Sequence, residues 1–245
     1  MIGILYVFHG SQKKEKNQAA MNFIQQLQQR LEPKRYQKTA FLENHPDTIT
    51  RIAEEMISNG VDQLIIVPVL LFAAKHALVD IPAELEVVKK NHPTVQIIQT
   101  ETFGSKTGSR AVLLERFKTV AADYPHKQLT GFLMAHGTKQ TDEPQQALLE
   151  IAAEIQQQVD FPVTAVSLKG KEDYVEIIND GLSKDKQPVI VPFFLFDGHL
   201  ITIMNTKLAE AFPEIDFIVT PTLEFDPRIL PDIEAIVNEA VACIQ

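Results

Sequence analysis

The chain reads as an α/β protein built twice, with two similar domains that are each a four-stranded parallel sheet flanked by helices. Three observations predict this. Short apolar runs alternate with segments of helical period eight times along the chain. Runs such as QLIIVPVLL at 63–71 are apolar on both faces, as strands are when helices cover each side of a parallel sheet. Landmarks of the first half recur in order in the second at nearly constant offset.

In chain order, IGILYVF at 2–8 opens as an apolar strand, and the Gln-rich stretch 13–31 follows with helical period. Strand 36–42 leads into helix 46–59, and the doubly apolar strand 63–71 into helix 77–91. Strand 95–99 and helix 106–123 close the first half. The second half repeats the order, with strands at 129–135, 163–168, 188–194 and 217–220. Its helices are predicted at 142–159, 171–182, 200–212 and 228–242.

Eight β-α units also describe a closed barrel, and the internal repeat separates the two architectures. VFHGSQ matches MAHGTK when His9 is laid on His136, an offset of 127. FLENHPDTI from Phe41 matches SLKGKEDYV from Ser167 at an offset of 126, and VPVLLFAAKH from Val67 matches VPFFLFDGH from Val191. The polar, proline-bearing DYPHK at 123–127 is the expected joint. Domains are therefore placed at 1–124 and 125–245.

Composition narrows the class. With 245 residues, 45% of them hydrophobic and 22% charged, the chain is globular rather than disordered. A net charge of −9 argues against nucleic acid, which needs a basic surface. The single cysteine, Cys243, makes no internal disulfide. No signal-peptide pattern and no apolar run of membrane-spanning length occurs, so a cytoplasmic protein with no membrane partner is expected.

Ligands of open parallel sheets sit beyond the carboxyl ends of the strands. There the first half places His9 after its first strand, Glu43 after its second and His76 after its third. Two imidazoles and a carboxylate suit a divalent first-row metal, and three protein ligands leave positions open for a substrate. Gly10 lets backbone approach a ligand, and Ser11 is expected to cap the helix that follows. Lys13, Lys14 and Lys16 lie just beyond, as a solvated helix start or an anion-binding edge. From the residues alone, the site is one for a metal or an anion.

The second copy keeps His136 and His199 but has Lys169 in place of Glu43. A lysine beside two imidazoles repels a cation, so metal belongs to the first half. The second site is expected to be a structural remnant. His45, His92 and His126 sit in loops and are expected on the exposed surface. GSKTGSR at 104–110 lacks the order of a phosphate loop, and no nucleotide site is predicted.

HGS after the first strand, FLE and then P-D after the second, and VPVLLFAAKHALVDIPAEL at 67–85 resemble the sirohydrochlorin chelatases. The resemblance covers the whole chain in the family's two-domain long form, with P-x-L-L-F-x-x-x-H-x-x-x-D-I-P as its strongest motif. It implies an active-site cleft between the domains and ATP-independent insertion of Fe2+, or of Co2+ on the cobalamin route, into an anionic tetrapyrrole with eight carboxylates. His9 and His76 would contact the metal, His9 would accept a proton, and Glu43 would be the nearby acid. The loop Leu71, Phe72, Ala73, Ala74 and Lys75 would flank the tetrapyrrole, with Ser11 also counted as substrate-binding. Many members read H-G-S-R where this chain has Gln12, leaving Lys13, Lys14 or Lys75 to meet a substrate carboxylate. No permanently bound cofactor is implied, and two fused copies make a monomer the expectation. The competing functional expectation is a metal or tetrapyrrole carrier without catalysis.

Overall fold

The structure, a computed structural model, describes residues 1–31 and 35–244. Its first sheet holds β1 (Ile2–Phe8), β2 (Tyr36–Phe41), β3 (Gln63–Pro68) and β4 (Gln96–Gln99), all parallel, in the order β2-β1-β3-β4. The second holds β5 (Gln128–Ala135), β6 (Val163–Ser167), β7 (Lys186–Pro192) and β8 (Ile218–Val219), parallel, in the order β6-β5-β7-β8. Two open sheets of one topology replace the barrel alternative, as the repeat predicts.

The helices are α1 (Lys14–Arg30), α2 (Ile49–Ser58), α3 (Ile81–Asn91), α4 (Thr107–Asp123), α5 (Glu143–Gln156), α6 (Tyr174–Gly181), α7 (His199–Ala211) and α8 (Leu230–Ile244). None of the described helices is long and apolar enough to cross a membrane. Two starts fall inside the expected spans because side chains cap them. Thr48 accepts from the Arg51 amide at 3.3 Å and starts α2. Asp173 accepts from the Val175 amide at 2.9 Å and starts α6.

Central strands are buried on both faces because each face meets helices. Leu5, Val7, Leu64 and Ile66 pack with Ile52 and Met56 of α2 and Ile81, Leu85 and Val88 of α3. Ile4, Tyr6 and Phe8, alternating with them along β1, are buried on the other face. Each fully buried Leu or Ile contributes about 1.5–3 kcal/mol. In the second sheet Phe132, Met134, Val166 and Ile190 pack with Ile178 of α6 and with Met204 and Leu208 of α7.

The compact units are Met1–Lys106 with Pro227–Gln245, and Thr107–Asp226. This division differs from a cut between 124 and 125, because the last helix of each half belongs to the other unit. Phe117 of α4 is fully buried and fills the space over Gly131 of β5, where an added Cβ would lie 2.7 Å from its ring. At the other end of the chain, the carbonyl of Ile244 in α8 accepts from Gln63 of β3 at 2.7 Å, and Glu234 pairs with Arg30 of α1 at 3.1 Å.

Candidate metal centre

The order β2-β1-β3 makes the three predicted strand ends neighbours. His9 directly follows β1, Glu43 comes two residues after β2, and His76 opens a single π-helical turn, His76–Asp80, after β3. Beyond the last register pair, Phe8 with Phe41, the amides of Leu42 and Glu43 donate to the carbonyls of Phe8 and His9 at 2.9 Å each. Gly10 adopts φ +91, and a Cβ on it would overlap the Glu43 carbonyl, so a glycine is what lets the chain pass so close. One ligand atom each from His9, Glu43 and His76 then lies within 4.8 Å of the others. The two imidazoles meet edge to face, with centroids 4.5 Å apart and planes at 90°. Both are half-buried, whereas Glu43 is exposed.

Hydrogen-bond partners set the imidazole tautomers. Nδ1 of His9 lies 3.0 Å from the Gly10 carbonyl, and Nδ1 of His76 lies 2.7 Å from Oδ2 of Asp80. Both partners accept, so each Nδ1 carries a proton, and the neutral form of either ring offers Nε2 as its ligating nitrogen. Lys75 donates to Oδ1 of Asp80 at 3.0 Å, and it, with His76, holds the Asp80 carboxyl below its ordinary range. Burial and the neighbouring His9 push the His76 pKa below 6.5, against the pull of Asp80 and Glu43. His76 is therefore neutral at pH 7. The result is a donor set of two imidazole nitrogens and a carboxylate oxygen, with a second carboxylate behind one imidazole.

A family model described as CbiX matches residues 3–120 and again 130–240. The chain belongs to the CbiX family. Its double match follows the sequence repeat. The chain is 29% identical over 226 residues to the sirohydrochlorin ferrochelatase of Priestia megaterium, covering 86% of this chain and 79% of that protein. It is 35% identical over 120 residues to the sirohydrochlorin cobaltochelatase of Sulfurisphaera tokodaii, covering 49% of this chain and 94% of that protein. Among solved structures, SirB from Bacillus subtilis with Fe3+ superposes with a TM-score of 0.83 at 25% identity, covering 98% of this chain and 96% of that one.

Within this CbiX chain, Ser11 does not cap α1. The helix begins at Lys14, and the Ser11 hydroxyl instead accepts from the Lys13 amide at 3.2 Å. Asn17 holds Ser11 from both sides, accepting from its amide at 2.8 Å and donating to its carbonyl at 2.9 Å. Leu71, Phe72, Ala73 and Ala74 form a half-buried loop between β3 and the π turn, and Lys75 is exposed at its end. Gln12, Lys13 and Lys14 are exposed, while Lys16 is half-buried.

Asp80 and Asn17 were not singled out from sequence. Asp80 stands four residues after His76 in the strongest family stretch, and Asn17 is a buried amide in a Gln-rich helix. His45 departs from the expectation of an exposed surface. Its ring packs 4.2 Å from that of Phe41, and its Nδ1 accepts from the Asp47 amide at 3.1 Å. Burial and Arg51 lower its pKa.

The second CbiX repeat keeps the strand-end amide bond and drops the donor set. Lys169 donates its amide to the His136 carbonyl at 2.8 Å, as Glu43 does to His9. His199 opens the α-helix α7 rather than a π turn. Among the described residues, His9, Glu43 and His76 are the one cluster able to supply three such ligands.

Proposed function

We propose that this CbiX chain inserts Fe2+ into sirohydrochlorin without ATP, to make sirohaem; a relative named sirohydrochlorin ferrochelatase supports the choice of iron and of tetrapyrrole. The observation that carries the proposal is the His9–Glu43–His76 cluster, two imidazoles and one carboxylate whose ligand atoms lie within 4.8 Å of one another. Fe2+ enters as a substrate, held by Nε2 of His9 and of His76 beside the Glu43 carboxylate. A cation held by so few groups can be taken over by pyrrole nitrogens.

Insertion releases two pyrrole N–H protons as the divalent ion enters, so charge balances. As the ion leaves, the freed Nε2 of His9 takes one proton, and Glu43 and then solvent take the other. Asp80 fixes the His76 tautomer throughout. Leu71 to Ala74 provide the wall for the macrocycle, and Ser11 and Lys75 its polar edge. No resident cofactor is needed, and neither nucleic acid nor a membrane takes part. The chemistry resides in the first copy, and the second carries no metal. In this reading the chain works in the cytoplasm as a monomer.

The same donors accept Co2+, and a relative named for cobalt insertion matches half of the chain, so Co2+ insertion is expected beside Fe2+ insertion. The test is anaerobic conversion of sirohydrochlorin with protein far below one equivalent, followed by visible absorption. Conversion of many equivalents is expected. Conversion that stops at one equivalent would mean a carrier and would overturn the proposal.

A further inference from the structure

The second copy repeats the strand-end backbone with the opposite charge. The amide of Lys13 donates to the Ser11 hydroxyl at 3.2 Å, and the amide of Gln140 donates to the Thr138 hydroxyl at 3.1 Å. This shared turn puts Lys139 where the first copy has Gln12. The amide bonds to His9 and His136 likewise put Lys169 where it has Glu43. A neutral residue and an acid have thus both become lysines at one strand-end site.

Those two lysines line an open cavity of about 680 Å³ together with His136, Lys171, Tyr174 and Lys207. The acids of the lining, Glu172 and Asp173, leave it net positive, and Asp173 is already engaged in capping α6. Lys171 pairs with Asp142, and Lys207 lies over the Tyr174 ring at 5.2 Å. The ammonium groups of Lys139 and Lys169 meet no carboxylate among the described residues. Two uncompensated cations on one concave wall favour an anion and repel a divalent metal.

We infer that this pocket is a carboxylate site that takes an oligocarboxylate anion and no metal ion. Carboxylate is favoured over phosphate by the neighbouring helix starts. α5 opens with Asp142 and Glu143, and Asp173 caps α6, so both helix starts already carry negative charge that disfavours a compact phosphate dianion there. The pocket's charge comes from separate ammonium groups instead, which suit carboxylates set apart on one ligand. The inference does not depend on the chelatase proposal, because none of these residues belongs to the first copy's cluster.

The test is calorimetric titration of the metal-free protein with citrate at low salt. The variants are Lys139→Gln/Lys169→Glu, which installs the first copy's residues at two exposed positions, and His9→Ala/His76→Ala. Wild type is expected to bind one citrate saturably, with affinity falling as NaCl is raised. The histidine pair should change this less than twofold, and the lysine pair should weaken it at least tenfold. Displacement of citrate by sirohydrochlorin would support a site for the tetrapyrrole's own carboxylates, and simultaneous binding would support one for a separate oligocarboxylate. No saturable citrate binding, equal affinity in the lysine variant, or inorganic phosphate binding as tightly as citrate would overturn the inference. Insertion by the histidine variant is a separate readout, so failure here and failure of the chelatase proposal are distinguishable.

Discussion

Glu43 and Lys169 hold the same backbone position in the two copies, each donating its amide to the carbonyl of a strand-end histidine, at 2.9 Å to His9 and 2.8 Å to His136. The amide bond is the same in the two copies, and the side-chain charge is opposite. Glu43→Lys should therefore leave the fold intact, because the position is exposed, yet abolish Co2+ binding measured by visible absorption. Glu43→Gln, which removes the charge and keeps the shape, should fall between this variant and wild type.

On the proposed reading, Asp80 acts on a bound metal through His76. Its carboxylate, 2.7 Å from Nδ1, selects the tautomer of the neutral ring with its lone pair on Nε2 and fixes the ring's orientation. Asp80→Ala should weaken Co2+ binding by about 10–100-fold, the usual effect of removing the group that orients a ligating histidine. Asp80→Asn, which can still accept from Nδ1, should recover part of it. A calorimetric titration of the three proteins reads the order directly.

Gly10 and Gly60 have nearly the same φ, +91 and +93, but different surroundings. At Gly60 an added Cβ finds only the Met1 methyl at 3.9 Å, so Gly60→Ala carries backbone strain alone, about 1–3 kcal/mol. At Gly10 the Cβ also overlaps the Glu43 carbonyl. Gly10→Ala should lower Tm more than Gly60→Ala, and it alone should weaken Co2+ binding.

The pH dependence follows from His76. Its folded pKa lies below 6.5, so it stays neutral where an ordinary histidine is charged. The contribution of His76 to metal binding should persist below pH 6.5 and disappear as pH falls through that lower value. For the metal-free protein, the unfolded chain takes up a proton at 6.5 that the folded chain resists, so this group lowers stability as pH falls below 6.5. The loss levels off once folded His76 protonates. Urea midpoints measured against pH should show this step in wild type and lack it in His76→Asn.

The strands and the three-residue cluster were legible because both rest on one-dimensional patterns. QLIIVPVLL is apolar on both faces, and His9, Glu43 and His76 each follow a strand candidate. Parallel winding then brings them together without further information. Asp80 was hidden because a π turn and an α-helix share nearly the same apolar period, so 77–91 read as one helix and no residue stood out behind His76. The exchange of α4 and α8 was hidden for a related reason. Amphipathicity says that a helix packs on a sheet, and it does not say which of two similar sheets receives it.

His9, Glu43 and His76 are expected to deliver the metal. The most direct measurement is the anaerobic initial rate of Fe2+ insertion into sirohydrochlorin by His9→Ala/His76→Ala, its fold verified by circular dichroism, against wild type and the uncatalysed reaction. The predicted result is a rate reduced by about 100-fold or more, towards the spontaneous level. A folded double variant that inserts Fe2+ at the wild-type rate would contradict the account.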